Sequence, residues 1–376
     1  MSARAAAERA LDALVRTRIR VAGRPRPAFL VCGFAGLFCA VAVASLLTLR
    51  RGLPPWMLGV MAVVGCGTLL GLAMAMKIAT GEETLIYYHH EIAILVNTGI
   101  VVWLLRQPVL PFLDAMALGV GAFLACGRVG CLMVGCCHGR PYAWGVRYRG
   151  EHADAGFAAH LVGVRLFPVQ LVESAWVAAT VAVGMAMVFA GAPPGAALAW
   201  YVVAYDVGRF LFEFARGDVD RPYHAGFSQA QWLSLVLTLG VGAAELAGLL
   251  PLAPWHLAAG PALALAMAAV ALRRRRDGAR RFRLLHPRHL DELARLLAAP
   301  PPAAAGAVPI ARTSLGIRLS TGRADGVRHH TLSADGGLTE GDAGALAAAL
   351  ARLRGASPAS ARVVPGAGGI YHVLLG

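Results

Sequence analysis

Fourteen residues from Gly127 to Arg140, GRVGCLMVGCCHGR, gather two arginines, four glycines, three cysteines and one histidine at the end of an apolar run. Arginine beside hydrocarbon is costly unless an anionic partner offsets it. Glycine lets backbone and ligand approach closely. Together they point to a site for a phosphate-bearing lipid. Three more polar groups lie against apolar runs: His89, His90 and Glu91; Pro168, Gln170 and Glu173; and Tyr205, Arg209, Glu213 and Arg216. The last four are spaced i, i+4, i+8 and i+11, which sets them on one helix face. Alone, that row reads as an interfacial salt bridge, with Glu213 pairing Arg209 or Arg216. Several ionisable residues at membrane depth mark a functional site by default.

The elements that must position these residues are apolar. Of 376 residues, 57% are hydrophobic and 15% charged, too apolar for an ordinary soluble domain. Runs at about 28–49, 55–76, 90–105, 111–133, 168–190, 195–213, 229–250 and 254–272 predict seven to eight transmembrane helices, an all-α polytopic membrane protein. The Arg-rich start leads into a run too long for a signal-peptide core. Arginines at both ends favour both termini inside, which requires an even number of spans. The net charge of +14 suits anionic headgroups and topology better than nucleic acid, because the arginines cluster beside apolar runs.

Four regions follow: an Arg-rich segment over 1–27, read as an amphipathic surface helix; a transmembrane domain over 28–272; a basic helix and Ala/Pro linker over 273–309; and a small soluble α+β tail over 310–376. In the tail, strands are expected at Leu315–Ser320, Val327–Leu332 and Ile370–Leu374, with a helix from Glu340 to Leu353. Thr339 and Asp342 have capping-box spacing. His329 and His330 read as exposed strand surface. The long polar loop over 134–167 reads as a functional element. Cys32, Cys39 and Cys66 read as packing residues, and an odd cysteine count argues against a disulfide framework. Gly67 and Gly71 fit small-xxx-small helix packing. Trp103, Trp176, Trp200, Trp232 and Trp255 read as interface anchors.

The ordered motifs resemble those of the prolipoprotein diacylglyceryl transferase family. The family signature G-R-[IL]-G-N-F-x-N-G-E-x-x-G-R is matched by Gly127, Arg128, Val129 and Gly130, and again by Gly135, Gly139 and Arg140. Asp114 stands fourteen residues before Arg128, as an aspartate does in the family. Pro168, Gln170, Leu171 and Glu173 resemble H-P-x-Q-L-Y-E. Tyr205, Arg209, Glu213, Phe214 and Arg216 resemble Y-x-x-x-R-x-x-x-E-F-x-R, and Ser228–Gln231 resembles S-x-x-Q. The likeness covers about 28–250. Cys131 and Cys136 replace the signature's asparagine and glutamate, and the H-G-G motif is absent, although His89 or His90 falls near its histidine.

The resemblance implies transfer of a diacylglyceryl group from phosphatidylglycerol to the cysteine thiol of a prolipoprotein precursor, docked by its signal peptide, in the bacterial inner membrane. His89 or His90 would deprotonate the thiol. Arg128 and Arg209 would stabilise the departing phosphate, with Glu213 orienting an arginine. Gly127, Gly130, Gly135, Gly139, Arg140, Gln170, Glu173, Tyr205 and Arg216 would bind the lipid. Gln170 and Glu173 can equally orient their helix without touching it. No metal or other cofactor is required. Two other readings stand beside this one. A noncatalytic lipid-binding scaffold fits the substituted signature. A metal or thiol-redox membrane protein fits Cys131, Cys136, Cys137 and His138, although C-x4-C-C-H is not a usual zinc spacing.

Overall fold

A long apolar run in lipid satisfies its backbone hydrogen bonds internally only by coiling into a helix, and each of the eight expected runs does so. The structure, a computed structural model, describes residues 3–81, 87–276, 278–299, 309–324 and 327–375. The chain opens with α1 (Ala3–Leu14) and a hairpin, β1 (Arg18–Val21) and β2 (Arg24–Pro27). The long helices α2 (Ala28–Arg50), α3 (Trp56–Thr80), α4 (Tyr87–Leu104) and α5 (Val109–Val134) follow. A polar excursion carries β3 (Pro141–Arg147), α6 (Gly150–Asp154) and β4 (Arg165–Leu166). Next come α7 (Val169–Phe189), α8 (Ala196–Phe212), a short hairpin of β5 (Tyr223–His224) and β6 (Phe227–Ser228), α9 (Gln229–Leu246) and α10 (Pro254–Arg276).

Five of the eight, α2, α3, α5, α7 and α10, are long and apolar enough to cross a membrane. The others, α4, α8 and α9, are 18, 17 and 18 residues long and carry much of the polar cargo, including Glu91, Asp206, Arg209 and Glu245. Helix α5 is the central column, packed by α2, α4, α7 and α8. Its small residues, among them Ala115, Ala117, Gly119, Ala122 and Ala125, allow that close approach, and all are buried.

Asp114 sits near the start of α5. Its carboxylate accepts from the amides of Gly195 (3.0 Å) and Leu198 (2.8 Å) and faces Arg51 at 3.7 Å. It therefore caps the first turn of α8, whose free amides and positive dipole end favour an anion. Ser228 and Gln231 form a reciprocal capping box at the start of α9.

Several local expectations are corrected. Residues 18–27 are not helical. Ala22 and Gly23 both take positive φ, 49° and 77°, the conformation of a tight hairpin turn. The basic helix splits into α11 (Ala279–Leu284) and α12 (Pro287–Ala298), because Pro287 forces extended backbone on His286. Residues 300–308 of the Ala/Pro linker lie outside the described residues. Gly67 and Gly71 face open space rather than a helix. The interface-anchor reading of the tryptophans is not overturned: Trp176 and Trp200 additionally donate to the carbonyls of Ala204 and Thr180, each at 2.9 Å, and so tie α7 to α8.

The tail forms β7 (Ile310–Arg312), β8 (Ile317–Ala324), β9 (Val327–Ala334), α13 (Glu340–Leu353), β10 (Ala361–Pro365) and β11 (Tyr371–Leu375). The strands make one antiparallel sheet in the order β10-β11-β9-β8-β7. Thr339 caps α13, accepting from the Asp342 amide at 3.1 Å. His330 is fully buried and contacts Thr321 at 2.9 Å, while His329 meets His372 at 3.0 Å, so the pair is not exposed surface. Hydrophobic packing crosses the expected region boundaries. Leu346, Leu350 and Val373 of the tail share one core with Val146, Tyr148 and Phe157 of the loop, Leu284 and Leu293 of α11–α12, and Val15. These segments form a polar-faced cap over one end of the helices.

Candidate active site

At the capped end, α5, α7 and α8 converge on charged side chains that are nearly all buried. Arg128, in the last two turns of α5, places Nε 3.0 Å from Glu173 Oε2 in the first turns of α7. Arg209 Nε lies 3.9 Å from Glu173 Oε1, to which the Tyr205 hydroxyl donates at 3.4 Å. Arg209 Nη1 is 2.7 Å from Glu213 Oε1. Tyr205 and Arg209 thus share a face of α8 with Glu213 at its C-terminal cap, Arg216 lies beyond the helix end, and Glu173 joins the row to Arg128. Arg221, beyond α8, takes the other oxygen of Glu213. Arg216 instead makes two hydrogen bonds with Asp218, at 2.7 and 2.8 Å.

These groups border a polar cavity of about 810 Å³, with Arg128, Arg209, Glu213, Arg216, Cys137 and His138 in its wall. Along this chain of charges, Arg128 Nε, Arg209 Nη1, Glu173 Oε2 and Glu213 Oε1 are in ion-pair contact without hydrogen-bond alignment.

The turn after α5 is built by unusual backbone. Gly135 takes φ +85° and donates to the Cys131 carbonyl at 2.9 Å, ending the helix. Cys137 takes φ +53°, costly for a residue with a side chain. Gln170 holds the Cys136 carbonyl at 2.9 Å. The sulfurs of Cys131, Cys136 and Cys137 thereby lie within 4.8 Å of one another, an approach the C-x4-C-C spacing did not suggest. All three cysteines are free. Hydrogen bonds from the Cys131 and Cys136 thiols, then the charges of Arg216 and Arg128, hold the Cys137 thiol well below its ordinary value. Contacts with Cys131 and Cys137 push the Cys136 thiol up.

His138 Nδ1 lies 2.9 Å from the Gly139 carbonyl oxygen. A carbonyl only accepts, so Nδ1 carries a proton, which in the neutral ring leaves Nε2 as the acceptor. The next residues knit two loops together. The Gly217 amide donates to His138 O and the Arg140 amide to Ala215 O, both at 2.9 Å, and Arg140 Nε reaches Arg216 O at 3.1 Å.

Not every expected site residue meets the cavity. His90 and Glu91 line a separate apolar cavity of about 150 Å³ between α2, α3 and α5. His89 is half-buried against Tyr88, ring centres 4.6 Å apart. Among the described lining of the polar cavity, neither histidine is present. The glycines differ in surroundings. A Cβ on Gly130 would meet Cys32 at 3.1 Å, and one on Gly139 would collide with the Phe167 carbonyl. Both pack closely against protein. Gly135 would meet Phe157 at 2.7 Å, and Gly127 faces open space. Arg140 and Gln170 brace the loops. Sequence reading missed Asp206, Asp218 and Arg221. Asp206, a charge inside an apolar run beside Tyr205, was the detectable one. It lines a third cavity of about 140 Å³ with Glu91, Tyr201 and Arg209.

A mostly helical membrane protein with buried arginine–carboxylate pairs at one end of the bundle is the class this fold and site define. Residues 85–245 match the family model of prolipoprotein diacylglyceryl transferase. It is 30% identical over 135 residues to a phosphatidylglycerol–prolipoprotein diacylglyceryl transferase 2 of Clostridium perfringens (strain 13 / Type A), covering 35% of this chain and 50% of that protein. It is also 30% identical over 129 residues to a phosphatidylglycerol–prolipoprotein diacylglyceryl transferase of Clostridium tetani (strain Massachusetts / E88), covering 34% and 49%. The chain spans about half the length of the curated relatives it matches.

Proposed function

We propose that this protein transfers a diacylglyceryl group from phosphatidylglycerol to a cysteine thiol of a prolipoprotein in the bacterial inner membrane. The observation that carries this reading is the Arg128–Glu173–Arg209–Glu213 chain, whose Arg128, Arg209 and Glu213 stand in the wall of a polar cavity, with apolar cavities elsewhere among the helices. Phosphate oxygens of the headgroup bind Arg128 and Arg209 through charge-assisted hydrogen bonds. Acyl chains lie along the apolar walls.

The acceptor thiol loses its proton to a base. His138, in the cavity wall with Nε2 as acceptor, replaces His89 and His90 in that role. A new sulfur–carbon bond forms at the glyceryl carbon as its bond to the phosphate oxygen breaks. The electron pair leaves on glycerol phosphate, where the arginines stabilise the growing charge. All eight long helices cross the membrane, so both termini, the cap and the cavity share one side. Reporter domains fused to either terminus are expected to read the same compartment.

The deciding experiment is complementation of a transferase-depleted bacterium, with lipidation followed by labelled lipid. The wild-type chain is expected to restore it. Arg128→Ala, inserted normally, is expected to lose about 100- to 1,000-fold in rate, the usual effect of removing one oxyanion donor. Normal lipidation by Arg128→Ala would overturn the mechanism. Failure of a well-expressed wild-type chain would favour the scaffold reading.

A further inference from the structure

Zinc–thiolate bonds of about 2.3 Å put tetrahedral sulfurs roughly 3.8 Å apart. The sulfurs of Cys131, Cys136 and Cys137 already lie within 4.8 Å of one another, so about 1 Å of side-chain adjustment closes the gap. Backbone conformation supplies the convergence. Left-handed Gly135 and Cys137 fold the chain back on α5, and Gln170 pins the carbonyl between them. Among the described residues, no fourth histidine, cysteine or carboxylate belongs to the group. Cys136 and Cys137 line the polar cavity together with Arg128 and Arg216. Three thiolates around a divalent cation leave one negative charge; Arg128 and Arg216, though each already faces a carboxylate, stand in the same cavity wall and temper it.

We propose that Cys131, Cys136 and Cys137 form a three-thiolate site for a soft divalent cation, zinc, with its fourth position open to the cavity. Three protein ligands and one open position are the pattern of catalytic rather than structural zinc. Soft thiolate donors select such an ion over calcium or magnesium. Resting on the transferase reading above, the open position would take the sulfur of the acceptor cysteine. A coordinated thiol is deprotonated outright, and its proton passes to His138 or water. Carbon–sulfur bond formation then proceeds as described, with glycerol phosphate leaving. The metal is neither oxidised nor reduced.

The test uses the full chain purified in detergent without chelator. Metal analysis is expected to find about one zinc per chain, falling to background in C136S and in C137S. Chelator-stripped wild-type protein, reloaded with cobalt(II), is expected to show sulfur-to-cobalt charge-transfer bands, and this measurement does not depend on how the variants fold. Absence of metal with no cobalt bands overturns the site, as does a disulfide between any two of the three cysteines. Transfer activity separates the two readings. Loss on stripping and return with zinc supports the open position as the acceptor's place. Full transfer by stripped protein, with Arg128→Ala still inactive, overturns that role and leaves the transferase reading standing. Cobalt bands in a chain with no transfer activity support the metal site and count against the transferase reading.

Discussion

At the scale of the residue, identity and position separate. Arg128, Glu173, Arg209 and Glu213 were legible because arginine and glutamate at the ends of apolar runs must find partners, and they find one another. The base proposed above was not legible. His89 and His90 carry the right chemistry, but His90 turns into an apolar cavity, while His138 lies in the polar one. General-base catalysis contributes about 100- to 10,000-fold. His138→Asn is therefore expected to lower transfer at least about 100-fold, with His90→Asn nearer wild type. Steady-state rates on labelled phosphatidylglycerol decide it; the reverse ranking returns the role to α4. The convergence of the three thiols was hidden for a different reason. It depends on Cys137 adopting φ +53°, a conformation with no side-chain signature.

At the scale of the element, the long helices were legible as uninterrupted apolar runs, with boundaries within a few residues. The hairpin over 18–27 was not, since its arginines and prolines show no alternating apolar face and its turn is Ala22–Gly23. Arg221 escaped notice because a loop, not a helical repeat, brings it to Glu213. Asp114 shows how a family position can serve geometry. It lies fourteen residues before Arg128, about 21 Å along the helix at 1.5 Å per residue, and caps α8. Asp114→Ala is expected to cost about 1–2 kcal/mol, the usual loss for a cap, and to leave Arg51 without its carboxylate. Thermal unfolding in detergent measures this. Loss of transfer with unchanged stability would place Asp114 in the chemistry instead.

At the scale of the whole molecule, the cap is the part the sequence left least visible. Val15, Tyr148, Leu293, Leu346 and Val373 come from four separate stretches yet share one core, and no local pattern announces that meeting. The cap should be acid-sensitive. Burial, then the charges of Arg354 and Arg328, lowers the His330 pKa to about 4, below the ordinary value of about 6.5. The unfolded chain thus binds the proton first as pH falls. This contribution to stability is complete above about pH 6.5 and is lost as pH falls through about 4, on the order of 3 kcal/mol in all. His286, at the start of α12, is lowered to about 4 by burial and by nearby arginines, Arg140 first, and titrates in the same window. Protection factors of amides in β9 and β11, with the intrinsic pH dependence of exchange divided out, are expected to fall as pH drops through that range, and His330→Gln to flatten the response. Protection factors that do not change with pH would remove His330 from this role.

The arginines of the cavity already hold carboxylates, Glu173 and Glu213. An incoming phosphate therefore competes for an occupied seat rather than filling a vacancy. Its affinity is the difference between two ion pairs, smaller than either. When the reaction ends, the displaced side chain is still tethered a few ångströms away, a rival at permanently high local concentration. The enzyme proposed here carries its own competitor for the spent headgroup, so product release needs no opening of the bundle to drive it.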